Sequence, residues 1–254
     1  MPPDLAPVHR DLRFMAPLSD ERAAKLCDFV AGNARGTVVD AGCGWAQLLI
    51  RIAERAPGVE GLGIDLDAEA VAHGQALARE RGVAGRISLI GGDVKAHLPQ
   101  TAGAVLCIGA SQIWGPPVEA RLPLDYRSAL RAMRALLEPG SPAVYGEGIW
   151  TAQPTPEAIA PLANRADEFV FLADLLDTAR ACGFAVVRVH QATLDEWDEF
   201  ESGYAARYAR WLAAHPDDHP DAAAVRARML AQSDAYFRGY RGVLGMAYLE
   251  LLAT

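Results

Sequence analysis

The chain has 254 residues, 51 % of them apolar and 22 % charged, with 23 Gly and 16 Pro. That length supports a large buried core, and the composition excludes disordered, collagen-like and coiled-coil chains. The 24 Lys+Arg against 32 Asp+Glu leave a net charge of −8, the wrong sign for gripping phosphate backbones through counterion release, so no nucleic-acid partner is expected.

Taken in chain order, the start Met1-Pro2-Pro3-Asp4-Leu5-Ala6-Pro7 has neither a charged n-region nor an apolar h-region, so no signal peptide is expected. Residues 1–35 read as a helical N-terminal cap, with Ser19 as the N-cap of a helix over Glu21–Val30. Within it, His9–Phe14 reads either as a cover for a bound cofactor or as a tail. Strands follow at Thr37–Ala41, Gly61–Asp65, Arg86–Ile90 and Ala104–Gly109, with a helix over Ala68–Arg79 between the second and third. Runs such as Val105-Leu106-Cys107-Ile108 are apolar throughout, as in strands covered on both faces. A helix over Ser128–Leu137 places Leu130, Met133 and Leu137 on one face and stops at Pro139-Gly140. Further strands are expected at Ala143–Glu147, Ala185–His190 and Val243–Glu250.

Before that last strand the alternation breaks. Thr193–Glu196 fits a capping box that opens a helix striped with Trp197, Phe200, Tyr204, Tyr208 and Trp211. A kink at His215-Pro216 leads to a second helix with Val225, Met229, Tyr236 and Tyr240. Residues 195–239 thus read as a lid-like helical insertion or as plain core packing, and the acidic run Asp195–Glu201 as a start satisfied by its own helix dipole. Strands alternating with helices predict one α/β domain over residues 1–254, doubly wound on a mostly parallel sheet. No apolar stretch reaches the ~18 residues of a membrane-spanning helix, so no membrane partner is expected. Cys27, Cys43, Cys107 and Cys182 are scattered without a CxxC, which predicts reduced thiols, a cytoplasmic location and no metal site.

The chemistry concentrates after the first strand, in Asp40-Ala41-Gly42-Cys43-Gly44-Trp45-Ala46. A glycine turn between strand and helix lets a ligand approach backbone N–H groups at the helix start. Asp65 ends the second strand, where an acid can accept from ribose hydroxyls, while Asp67 caps the next helix. Gly92-Asp93-Val94 follows the third strand, and Asp93 reads as an adenine partner or a turn residue.

These segments, with Leu106–Trp114 and Leu136–Trp150, resemble the class I S-adenosylmethionine-dependent methyltransferases. The resemblance implies a Rossmann-like sheet of seven strands with the last antiparallel. It also implies that Gly42 and Gly44 face the methionine moiety, Asp65 holds the ribose and Asp93 reads the adenine. Gly109-Ala110-Ser111 would pass beside the sulfonium. The candidate cofactor set is Asp40, Ala41, Gly42, Cys43, Gly44, Asp65, Leu66, Gly92, Asp93, Val94, Gly109 and Ala110, for S-adenosyl-L-methionine. One position departs: Ala46 stands where the family loop carries its last glycine. A nicotinamide dehydrogenase fits less well, because Gln47 occupies the third position of GxGxxG. A non-catalytic binding protein on the same fold is the other alternative.

The expected reaction is in-line methyl transfer to a small-molecule acceptor. Ser111, Gln112 and Trp114 after strand four, Trp150 after strand five and Tyr204 in the insertion are the candidate acceptor contacts. Glu147, read at the end of strand five, is the candidate base or partner of a cationic amine. Ser111-Gln112-Ile113-Trp114 replaces the Asn/Asp-Pro-Pro-Tyr/Phe motif of enzymes that methylate exocyclic or amide nitrogens.

Overall fold

The structure, a computed structural model, describes residues 3–115 and 122–254; Met1 and Pro2, which open the segment read for a signal peptide, lie outside them. In chain order the elements are α1 (Asp20–Asn33), β1 (Thr37–Ala41), α2 (Gln47–Arg55), β2 (Glu60–Asp65), α3 (Ala68–Glu80), β3 (Ile87–Gly91) and α4 (Val94–His97). Then come β4 (Ala104–Ile108), α5 (Tyr126–Ala135), β5 (Pro142–Trp150), α6 (Pro156–Ile159), α7 (Leu172–Ala181) and β6 (Phe184–Gln191). The chain ends with α8 (Leu194–Ala214), α9 (Ala222–Asp234), a π-helical turn over Ala235–Tyr240 and β7 (Leu244–Ala253). The caps fall where the sequence placed them: Ser19 accepts from Arg22 N–H, Asp67 from Glu69 and Ala70 N–H, and Thr193 and Glu196 close a full capping box.

The seven strands lie in the order β3-β2-β1-β4-β5-β7-β6. Those from β1 to β5 pair in parallel, and β7 runs antiparallel to β6. This is the doubly wound sheet the alternation predicted, with the order reversing between β1 and β4, where such sheets open a crevice at the strands' carboxyl ends. One boundary differs. The sequence ended strand five at Glu147, yet all of Pro142–Trp150 is extended and buried. Gly146 and Gly148 are packing sites. A Cβ on Gly148 would stand 2.7 Å from the Phe169 ring, so only glycine fits there as the strand runs on to Trp150. Glu147 and Trp150 are therefore within β5, not beyond its end.

The chain divides into two compact units. The sheet unit is Ser19–Ile149, Glu168–Gln191 and Met246–Thr254; the helical unit is the segment up to Leu18, Trp150–Asp167 and Ala192–Gly245. The N-terminal cap divides between them, with α1 packing on α2 in the sheet unit. The sheet unit's core includes Val105, Cys107, Leu130, Met133, Tyr145 and Leu249.

In the helical unit, Tyr208 and Trp211 pack with Val225, and Trp197 meets Tyr236 and Tyr240 edge-on or stacked. Most of the aromatic stripe is thus internal to this unit. Asp11 holds Arg210 through both oxygens, so the segment with His9 is fastened to α8. The acidic run does more than face a dipole. Asp198 pairs with Arg241 at 2.7 Å and accepts from the Tyr236 hydroxyl at 2.6 Å, and Glu201 accepts from Tyr240 and Gln232. No helix among the described residues is long and apolar enough to cross a membrane.

Candidate active site

The loop after β1 is built on left-handed backbone: Gly42 has φ +77°, Gly44 φ +52° and Ala46 φ +56°. Its first turn is tied down by Gly42 and Cys43 N–H, which both donate to the Ile64 carbonyl. At Gly42 the conformation and the space agree, since a Cβ there would lie 2.5 Å from the Ala110 Cβ. This close approach brings the β1 and β4 loops together. At Gly44 a Cβ would meet nothing within 4 Å, so the backbone there faces open space. Ala46 holds the conformation that suits glycine despite its side chain, and it is fully buried.

Asp65 connects the second motif to the first. One carboxylate oxygen accepts from Gly44 N–H at 2.7 Å and the other from Asp67 N–H at 2.9 Å. Its backbone carbonyl accepts from Gly92 N–H at 2.8 Å, which draws in the third motif. Asp93 caps α4 through Lys95 N–H. The side chains of Ala41 and Val94 pack with Ile64 in the core, whereas Leu66 is 76 % exposed. Cys43 faces Gly63, whose Cβ position is 2.9 Å from its sulfur.

Asp40 differs from these. Its carboxylate is buried and accepts no hydrogen bond among the described residues. Burial, with the Asp65 charge adding, pushes its pKa from 3.8 up to about 7. A desolvated carboxylate without a cation, open space over Gly44 and an exposed leucine after β2 together fit a ligand with a cationic centre and a flat apolar face.

At the β4 and β5 strands, Ser111 N–H donates to Glu147 Oε2 at 3.2 Å, and Gly148 N–H donates to Oε1 at 2.9 Å. The Ser111 hydroxyl is 2.6 Å from the Tyr145 hydroxyl, and Tyr126 donates to the Gly148 carbonyl at 2.6 Å. Burial raises the Glu147 pKa against these hydrogen bonds, and burial, with the Glu147 charge adding, also raises those of the Tyr145 and Tyr126 phenols. No arginine pairs with Glu147 among the described residues. Sequence reasoning missed Tyr145 and Tyr126. For Tyr145 the signal was present, because residues two apart on a strand share a face and Tyr145 therefore accompanies Glu147. Gln112 is exposed and Trp114 half-buried, both next to Ser111.

The two remaining candidates lie in the helical unit. Trp150 is buried, its indole N–H donating to the Ala166 carbonyl at 2.9 Å. Tyr204 is half-buried with the Arg207 guanidinium 4.8 Å above its ring.

Sheet order, the close approach of the β1 and β4 loops and the Asp65 clasp define a class: the chain has the fold of the class I S-adenosylmethionine-dependent methyltransferases and carries a methyltransferase domain. Residues 38–140 match the family model of a methyltransferase domain. Among solved structures, an S-adenosylmethionine-dependent methyltransferase from Geobacter sulfurreducens in complex with S-adenosyl-L-homocysteine is 28 % identical, with TM-score 0.83 over 97 % of this chain and 96 % of that one. A counterpart from Thiobacillus denitrificans, also in complex with S-adenosyl-L-homocysteine, is 29 % identical, with TM-score 0.82 over 97 % and 96 %. The uncharacterised Escherichia coli protein YjhP is 28 % identical over 244 residues, 95 % of this chain and 94 % of its own length.

Proposed function

We propose that the loops after β1, β2 and β3 bind S-adenosyl-L-methionine and that the chain transfers its methyl group to a small-molecule acceptor. The observation that carries this is the Asp65 clasp on Gly44, beside the uncompensated Asp40 carboxylate. Asp40 supplies the negative charge for the cationic methionine end. Asp65 keeps lone pairs free for ribose hydroxyls after accepting from Gly44 and Asp67, because each carboxylate oxygen accepts more than once. Asp93 and the exposed Leu66 face the adenosine side, and Gly109 and Ala110 close the wall opposite Gly42. The bound cofactor supplies an electrophilic methyl carbon on a positive sulfur. The protein orients the acceptor and excludes water.

Ser111, Gln112 and Trp114 are the acceptor contacts in this reading; the Trp150 indole is already committed to Ala166. Glu147 fixes Ser111 through its backbone N–H, and its raised pKa makes it the stronger base if the acceptor must lose a proton. The acidic charge balance and the Ser111–Trp114 sequence support a small molecule over nucleic acid. Its cysteines, all unpaired, fit a reducing cytoplasm.

Calorimetry with S-adenosylhomocysteine tests this. The wild type binds it, and Asp65→Ala weakens binding by about a hundredfold, because the Gly44 N–H loses its acceptor together with the ribose contacts. Tight NAD binding with no S-adenosylhomocysteine binding overturns the reading, and an unchanged affinity in Asp65→Ala overturns the ribose assignment.

A further inference from the structure

We propose that the groove between α8 and α9 is a second small-molecule site, one for a compact apolar amine bound as its ammonium. On one side α8 turns Ser202, Ala205 and Ala209 towards α9, and these small residues leave a pocket of about 280 Å³. On the other side stand Met229, Leu230 and Phe237. Leu230 is 53 % and Phe237 52 % exposed, large apolar side chains left uncovered at one place.

The polar part of this lining includes Glu201, which selects the ligand's charge. Its side chain is buried, with Oε1 accepting from the Tyr240 hydroxyl and Oε2 from the Gln232 amide, each at 2.6 Å. Both donors are neutral, and no arginine, lysine or histidine pairs with Glu201 among the described residues. The nearby cations are already taken: Arg241 by Asp198 and Arg238 by Asp234. A desolvated carboxylate is ordinarily matched by a cation. Here the surroundings supply two hydrogen bonds, an apolar wall and no positive charge. An ammonium in the groove completes the set, its N–H groups reaching lone pairs that Tyr240 and Gln232 leave free, its hydrocarbon part against Ala205, Met229 and Leu230. The volume lies near the ~300 Å³ lower limit of small-molecule pockets, which fits a short-chain or single-ring amine and not a peptide. The π-helical turn Ala235–Tyr240 sets Phe237 at the rim and Tyr240 on the carboxylate, and such turns recur at functional sites.

The test is calorimetry of the full chain with hexylammonium against 1-hexanol, with S-adenosylhomocysteine saturating so that Asp40 does not compete. The wild type is expected to bind one hexylammonium at least about tenfold more tightly than 1-hexanol. Glu201→Gln removes that preference while keeping the Tyr240 bond. Ala209→Leu fills the groove from an exposed position and abolishes binding of both probes. Equal affinity for amine and alcohol in the wild type, no binding of either, or undiminished amine binding in Glu201→Gln overturns the proposal. So does a dimer that Ala209→Leu dissociates while amine binding is absent. The S-adenosylhomocysteine titration of the same samples reports separately on the methyltransferase site.

Discussion

Two carboxylates of the sheet unit, Asp40 and Glu147, stand in opposite surroundings to Asp198 and Glu196 of the helical unit. In the sheet unit Asp40 and Glu147 are buried without a cation, and burial raises both pKa values. In the helical unit Asp198 is held by Arg241 and the Tyr236 hydroxyl, which lower its pKa from 3.8 to about 2, and Glu196 closes a capping box. Both units use acids as fasteners between distant segments, Asp198 on Arg241 in the helical unit, Asp20 on Arg51 and Glu250 on His190 in the sheet unit. Only around the loop after β1 does the sheet unit leave a buried charge, Asp40, unmatched beside left-handed backbone, which is how a binding site looks when its ligand is the missing partner. Glu201 is the exception in the helical unit, and for that reason it points to a ligand there too.

Gly42→Ala should give the largest effect in the sheet unit. The substitution places a methyl 2.5 Å from the Ala110 Cβ on backbone at φ +77°, so overpacking and left-handed strain add to about 3 kcal/mol. Urea denaturation measures the loss, and S-adenosylhomocysteine binding should disappear with it. A stability within 0.5 kcal/mol or so of wild type would mean the β1 and β4 loops are not braced against each other.

The opposite signs of two Asp→Asn changes test the comparison directly. Folded Asp40 holds its proton up to about pH 7, against 3.8 for the free side chain. The folded state therefore binds more protons between these values, and this group lowers stability as pH rises through that window. Asp40→Asn should raise stability above the window by on the order of 1–2 kcal/mol, after allowing for an unsatisfied amide, and weaken S-adenosylhomocysteine about tenfold. Folded Asp198 releases its proton down to about pH 2. Its contribution is present above 3.8 and lost as pH falls through 2, so Asp198→Asn should lower the melting temperature at neutral pH. Thermal denaturation of both variants across the pH range decides it: two shifts of the same sign at neutral pH break the comparison.

How much of this was legible in the sequence follows from how local each signal is. The strands, the glycine turn and the caps at Ser19, Asp67 and Thr193 depend on residues within a few positions of each other, and they appear where expected. The count of seven strands with the last antiparallel followed from the family resemblance, not from spacing, and the order of the sheet came from the structure. What stayed hidden joins residues far apart. Asp198 meets Arg241 across 43 positions, and Ser111 meets Tyr145 across 34. Phe169 occupies the space above Gly148, 21 positions away, which the local sequence does not reveal. The acidic run read as a start satisfied by its own helix dipole because its partners, Gln232, Tyr236, Tyr240 and Arg241, lie more than 30 positions on.

Ala46 carries the smallest expected effect and the sharpest one for the sheet unit's strain. In the sequence it looked like one extra methyl in a glycine loop. The structure relocates the issue from space to backbone, since Ala46 adopts φ +56° and ψ +30° at the start of α2. Left-handed backbone costs an alanine ~1–2 kcal/mol, and glycine recovers that while losing ~0.5–1 kcal/mol to the greater freedom of its unfolded chain. Ala46→Gly should therefore stabilise the protein by about 0.5–1 kcal/mol, against the usual effect of placing glycine at a helix start. Equilibrium denaturation measures the difference. A loss of stability would mean that the buried Ala46 methyl contributes more through packing than its left-handed backbone costs.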